Sequence, residues 1–326
     1  MKAIVYTKYG PPDVVRLTEV EKPTPKVNEV LIRVHATTVN RTDCGFRKPE
    51  YPLIIRLTNG LFRPRRTILG SELAGEVEAV GRDVRSFKKG DQVFGLTGGN
   101  FGAHAEYVCL PEEASIVTKP STMSYEEAAA VCDGLMLAFT YFRRFDVQKG
   151  QKILINGASG SIGSAAVQLA KYYGAEVTAV CNSRNVELVK SLGADQVIDY
   201  TKDDFTQNGR TYDVVLDAVG KSSFFRCKKL MRKGGVFCST DLGFLAQNPL
   251  LALWTTTFGS RKVIFPLPTI NKKDVAFFKE LIEAGRYRAV IDRRYPLEQI
   301  AEAYRYVETG EKAGNVVITL EHNSNS

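Results

Sequence analysis

Gly157, Gly160 and Gly163, set between a β-branched run and a helical pattern, are the residues of this chain best spaced to do chemistry. The run Lys152-Ile153-Leu154-Ile155-Asn156 has strand character, and from Ser164 to Lys171 apolar residues recur at helical spacing. Strand, tight turn and helix start aim backbone N–H groups and the positive end of a helix dipole at one point, which suits a pyrophosphate. In that reading Gly157 permits the sharp turn, Gly160 the close approach of phosphate, and Gly163 the packing of helix on strand. Ser159, Ser161 and Ile162 complete the cradle. A glycine-rich turn with a purely structural role shares the local pattern.

The next strand narrows the choice of dinucleotide. An NAD site carries an acid about 20 residues past the glycines, where it meets the ribose 2′-hydroxyl. Here the strand over 176–180 runs into Cys181-Asn182-Ser183-Arg184, with no carboxylate to repel a 2′-phosphate. Asn182 and Ser183 can donate hydrogen bonds, and Arg184 offers a permanently charged fork. The set favours NADPH over NADH. Arg184 also reads as a solvated charge at the start of a helix over 185–192.

These residues need a frame, and the pattern supplies one. Residues 1 to about 120 hold short apolar stretches broken by Pro and Gly turns, which predicts a barrel or sandwich. A helix is expected after Ser124, with Glu126 and Glu127 in its first turn. From Lys152 strands alternate with helices, as in a parallel sheet covered on both faces. Amphipathic helices are expected over 272–283 and 297–308, and a last strand over 315–320. The segment 261–266 reads as an edge strand preceded by an apolar stretch with the only tryptophan, Trp254. An uncovered apolar edge predicts a homodimer.

The 326 residues carry a net charge of +8, yet the basic residues form only short clusters, as in Arg63-Pro64-Arg65-Arg66, so no nucleic-acid partner is expected. No apolar run approaches the ~18 residues of a membrane span, and no membrane partner is expected. Six scattered cysteines without a Cys-x-x-Cys, and an opening segment that reads as a strand, predict free thiols and a cytoplasmic protein.

Several further motifs in order resemble one family. They are Met1-Lys2-Ala3, Val39-Asn40-Arg41-Thr42-Asp43, Leu69-Gly70-Ser71-Glu72-Leu73-Ala74-Gly75, Gly102-Ala103-His104-Ala105-Glu106-Tyr107, Leu192-Gly193-Ala194-Asp195 and Lys312-Ala313-Gly314-Asn315. Together with the glycine turn they resemble the zinc-free quinone oxidoreductase branch of the medium-chain dehydrogenase/reductases, from Met1 to about Leu320. The resemblance implies an α/β protein: a doubly wound parallel Rossmann sheet over 123–266 plus a GroES-like β-barrel catalytic domain over 1–122 and 267–326. It implies hydride transfer from NADPH to a quinone or an α,β-unsaturated carbonyl. Alternatives are an enoyl-thioester reductase, or a nucleotide-binding protein of the crystallin or RNA-binding kind with little turnover.

Zinc-dependent relatives ligate the metal through Cys, His and Cys, and the matching positions here are Asn40, Ser71 and Asp133. A carboxamide and a hydroxyl are poor zinc ligands, so no metal is expected. By resemblance Asn40 lies near nicotinamide and substrate as a donor to the acceptor oxygen, or is simply a turn-forming asparagine. Tyr51, in a loop that borders the cleft in relatives, is a proton-donor candidate or a packing residue. His104 reads as structural before catalytic. The resemblance assigns Tyr200 to the adenosine, and Ala218, Val219, Leu242, Phe265 and Leu267 to strand ends that meet the cofactor. Asn315 stands at a cofactor contact where relatives commonly carry a lysine.

Overall fold

A computed structural model describes residues 1–49, 52–269 and 271–322, with the backbone alone for 52–55. The chain forms two compact units, one of Met1–Asp133 and Ile270–Ser326, the other of Gly134–Thr269. The expected division fell at 122/123 and 266/267; the helix Tyr125–Ala129 and the residues up to Asp133 group with the first unit.

The first unit contributes strands β1 (Lys2–Val5), β2 (Arg16–Glu19), β3 (Glu29–Val39), β4 (Glu72–Val80), β5 (Gln92–Leu96), β6 (Tyr107–Pro111) and β7 (Ile116–Thr118). The second holds β8 (Lys152–Asn156), β9 (Glu176–Cys181), β10 (Gln196–Asp199), β11 (Tyr212–Asp217), β12 (Met231–Ser239) and β13 (Lys262–Ile264). The chain then returns to the first unit as β14 (Ile291–Pro296) and β15 (Asn315–Thr319).

In the first unit β3 is the central strand. It pairs antiparallel with β4, β6 and β15, so the two ends of the chain share one sheet. Alternate residues of β3, among them Val30, Ile32 and Val34, enter a core with Val77, Val93, Tyr304 and Ile318. In the second unit all pairings are parallel and the spatial order is β10-β9-β8-β11-β12-β13. Counting these strands from β8 gives 3-2-1-4-5-6, the doubly wound Rossmann order. The order reverses between β8 and β11, and the crevice outside their carboxyl ends is where such sheets bind ligands.

The predicted helices are present over Tyr125–Ala129, Lys272–Glu283 and Ile300–Thr309, the last preceded by a 3-10 turn over Leu297–Gln299. Ser124 and Glu127 form a reciprocal capping box, which explains the first start. Between β11 and β12 lie the helix Phe224–Cys227 and a 3-10 turn over Lys228–Leu230, and β12 begins at Met231 with an irregular register against β11.

Candidate active site and dinucleotide site

In the second unit the glycines divide their labour as their surroundings dictate. Gly157 has φ +77°, and a Cβ there would lie 2.3 Å from the Val219 side chain. A Cβ on Gly163 would lie 2.1 Å from the Gly157 carbonyl oxygen, so the helix Ser161–Tyr172 sits against the turn only because Gly163 has no side chain. Gly160 differs. A Cβ there would meet nothing nearer than the Gly157 oxygen at 3.6 Å, leaving open space over the turn. Gly160 is also the N-cap of that helix, with no side-chain cap and no acid in the first turn. Backbone donors of the helix start, flanked by Ser159, Ser161 and Ile162, therefore face open space over Gly160 that suits an anion.

Ala218 and Val219 belong to the same place. Asn156, at the end of β8, donates to Asp217 Oδ1 at 3.0 Å across the switch point. The buried Asp217 carboxylate also accepts from the N–H groups of Val219 and Ser222, fastening the 218–222 loop beside the glycine turn. Burial raises the Asp217 carboxyl above the ordinary carboxylate range. Neither Asn156 nor Asp217 was singled out in the sequence, since a polar residue closing a strand carries no motif.

At the end of β9, Asn182 Oδ1 is buried without a hydrogen-bond partner, and Arg184 is exposed. One expectation needs correction here. A carboxylate does stand beside this motif. Parallel pairing of β9 and β10 sets Asp199 opposite Cys181, and Asp199 accepts a hydrogen bond from the Ser183 hydroxyl. Thr201 donates to Asp199 through its N–H at 3.0 Å and its hydroxyl at 2.7 Å, and Lys202 Nζ lies 3.4 Å away. The Ser183 and Thr201 hydrogen bonds hold the Asp199 carboxyl well below its usual range. Tyr200, between these residues, is exposed. The open turn, the uncapped helix start and the orphaned Asn182 oxygen fit a dinucleotide.

Leu242, Phe265 and Leu267 gather elsewhere in this unit. With Thr140, Arg144 and Leu253 they line a groove of about 950 Å³ along β13 and the helix Gln247–Phe258.

The first unit holds a buried polar cluster. Asn40 caps the helix Arg41–Arg47: its Oδ1 accepts from Asp43 N at 3.0 Å, and the Asp43 carboxylate accepts from Asn40 N at 3.2 Å. The Asn40 amide nitrogen donates to Ser71 Oγ at 2.7 Å. Glu72 is fully buried at the start of β4; it accepts from the Thr38 hydroxyl and, at 2.8 Å, from Asp133 N. Burial, with the Asp133 charge, pushes the Glu72 carboxyl up to about 8, and burial, with the Asp43 charge, pushes that of Asp133 up to about 6. Burial likewise lifts Asp43 to about 7.

His104 Nε2 donates to the Thr38 carbonyl at 2.8 Å and Nδ1 faces the Tyr304 hydroxyl at 3.5 Å. Burial lowers this imidazole to about 4, which favours its neutral form. Asn315 is buried and its amide donates to the carbonyls of Ala130 and Val290, which ties the two chain segments of this unit together. Tyr51 lies outside the described residues.

The positions that align with zinc ligands are thus joined by hydrogen bonds: Asn40 to Ser71, and Asp133 to the neighbouring Glu72. Among the described residues no group of three His, Cys, Asp or Glu side chains could hold a metal.

Comparison with known proteins places this arrangement. A model of the alcohol dehydrogenase GroES-like domain matches residues 26–121, and one described as zinc-binding dehydrogenase matches residues 192–318. The chain is 34% identical to the 2-methylene-furan-3-one reductase of Solanum lycopersicum, over 98% of this chain and 79% of that one. It belongs to the quinone-oxidoreductase-like branch of the medium-chain dehydrogenase/reductases. Another family member, the chloroplastic NADPH-dependent alkenal/one oxidoreductase of Arabidopsis thaliana, is 33% identical over the same shares of the two chains. Among solved members, the quinone oxidoreductase from Coxiella burnetii superposes with a TM-score of 0.86 at 28% identity, covering 98% of this chain and 99% of that one. The family's zinc-binding description and this chain's donor set part company at Asn40 and Ser71.

Proposed function

We propose that this oxidoreductase uses NADPH to reduce a quinone or an α,β-unsaturated carbonyl without a metal. The observation that carries the reading is the Asn40–Ser71 hydrogen bond: the positions that would polarise an alcohol through zinc present an amide and a hydroxyl instead. Such donors suit an acceptor that is already electrophilic. NADPH, when bound, supplies the hydride.

In this reading the helix start at Ser161, with Gly157, Ser159, Gly160, Ile162 and Gly163, holds the pyrophosphate. Asn182 and Arg184 meet the 2′-phosphate, and Lys202 offsets the charge of Asp199. Asn40 has spent one amide hydrogen on Ser71 and keeps the Ser71 hydroxyl oriented, so that the Ser71 O–H can donate to the oxyanion that develops on the acceptor. The NADPH-dependent alkenal/one relative supports the choice of cofactor and substrate class.

The test is NADPH oxidation with a panel of quinones, free enones and enoyl thioesters, with and without a chelator. Turnover of quinones or free enones that survives chelation is the expected result. Zinc-restored activity after chelation, or alcohol oxidation, overturns the metal-free reading.

A homodimer is part of the proposal. Among the described residues β13 pairs with β12 only, and Leu250, Leu253, Trp254 and Phe258 stand exposed on the adjoining helix. The six free cysteines suit a reducing compartment such as the cytoplasm, and no described helix is long and apolar enough to cross a membrane.

A further inference from the structure

Residues 51–71 contain four arginines, Arg56, Arg63, Arg65 and Arg66, and no acid. Within this stretch the structure holds a turn rigidly by its base. Asn59 is fully buried; its amide donates to the Tyr6 hydroxyl, its side-chain oxygen accepts from Arg66 N, and its carbonyl accepts from Arg65 N. The Tyr9 hydroxyl donates to the Gly60 carbonyl, and Gly60 N bonds back to the Arg56 carbonyl. Gly60 has φ +119°, and a Cβ there would lie 2.1 Å from the Arg63 carbonyl oxygen, so the turn closes on itself. These bonds fix the backbone at Arg56, Arg65 and Arg66, and the side chains of Arg56, Arg63 and Arg65 are exposed.

What the base holds out is apolar. Leu57, Leu61 and Phe62 are 67%, 52% and 84% exposed. The pinned backbone leaves Leu61 and Phe62, with Leu57 of the helix Pro52–Asn59 beside them in sequence, exposed to water, and an exposed apolar group of this kind marks a contact site. The combination of aliphatic and aromatic side chains at the tip with guanidinium groups at the rim matches the boundary between lipid tails and anionic headgroups.

We propose that the 56–66 turn docks this protein on the surface of an anionic phospholipid bilayer. Leu57, Leu61 and Phe62 enter the headgroup boundary, and Arg56, Arg63 and Arg65 meet lipid phosphates. This is surface docking and involves no membrane-spanning segment. It goes beyond the reductase reading and holds or fails independently of it.

The test is co-sedimentation of the full chain with vesicles of mixed phosphatidylcholine and phosphatidylglycerol, compared with vesicles of phosphatidylcholine alone. Binding to the mixed vesicles, weakened by salt and absent from neutral ones, is expected. Each arginine near an anionic surface contributes about fivefold in affinity, so Arg63→Ala with Arg65→Ala weakens binding roughly 25-fold. Arg63→Lys with Arg65→Lys preserves most of it. Leu61→Ser with Phe62→Ser removes binding while the thermal midpoint and NADPH affinity stay at wild-type values.

A second basic surface, lined by Arg226, Lys228, Lys229 and Arg261 around exposed Phe225, provides the control. Loss of vesicle binding on Lys228→Ala with Lys229→Ala, but not on the turn variants, overturns the assignment. So does failure to bind the mixed vesicles. A change in solution mass on Phe62→Ser, with vesicle binding intact, also overturns it by giving the turn to a second copy.

Discussion

Replacing Gly160 with alanine separates the fold from the dinucleotide site. The backbone there has φ −73° and ψ 175°, which alanine adopts without strain, and the added methyl meets only the Gly157 oxygen at van der Waals distance. Reduced freedom of the unfolded chain stabilises the variant by about 0.4–1 kcal/mol. Alanine is a poorer N-cap than glycine by roughly 0.5 kcal/mol, which offsets most of that gain. The thermal midpoint should therefore move by no more than about 2 °C. Binding is another matter. The methyl fills the space over the turn and holds a phosphate away from the backbone donors. Losing one charge-assisted hydrogen bond costs about 1.5–3 kcal/mol, or roughly 10- to 150-fold in the NADPH dissociation constant. Gly163→Ala is the contrast: its Cβ would press on backbone atoms at 2.1 Å, an overpacking cost of about 1–3 kcal/mol that lowers the midpoint. Fluorescence titration with NADPH and thermal unfolding by circular dichroism read the two effects. A Gly160→Ala protein that binds NADPH as the wild type does would refute the phosphate cradle.

The remaining predictions concern cofactor choice, pH and assembly. Arg184→Ala should weaken NADPH at least about tenfold and leave NADH unchanged, while Asp199→Asn should shift preference further toward NADPH; equal effects on both cofactors would contradict the 2′-phosphate assignment. Glu72, Asp43 and Asp133 have folded-state values near 8, 7 and 6, above those of the unfolded chain, so the folded state holds protons more tightly. Their contribution is full below the unfolded values and lost as pH rises from about 4 to 8, at no more than about 1.4 kcal/mol per pH unit for each proton held. Glu72→Gln should flatten that fall between pH 5 and 8, and midpoints measured across this range check it. Light scattering should give about twice the 36.1 kDa chain mass, reduced to the monomer by Leu253→Lys.

Much of this was legible because it is local. A glycine turn between strand and helix is written in consecutive residues, and the capping box at Ser124 spans four. Regular alternation of strands and helices marks the parallel sheet, and the family resemblance marks it as a Rossmann sheet. What escaped the sequence was brought together by pairing across distance. Asp199 reaches Ser183 only because β9 and β10 run parallel in a register that aligns their last residues, and no spacing rule announces it. Glu72 meets Asp133 from 61 residues away. Asn40 was ambiguous for a different reason: a turn-former and a donor use the same amide. The structure shows capping through the oxygen and, through the nitrogen, donation to Ser71.

Because β15 completes the sheet around β3, the first unit cannot be finished until nearly the whole chain has been synthesised. The second unit, continuous from Gly134 to Thr269, has all its partners much earlier. On a ribosome the dinucleotide-binding half can thus consolidate while its companion waits with β3 exposed along one edge. The long sequence separation between β3 and β15 makes that closure the slow, entropically costly step of maturation. Chains arrested before residue 315 would carry a folded Rossmann unit beside an open sheet, a form suited to capture by chaperones or to aggregation through the waiting edge.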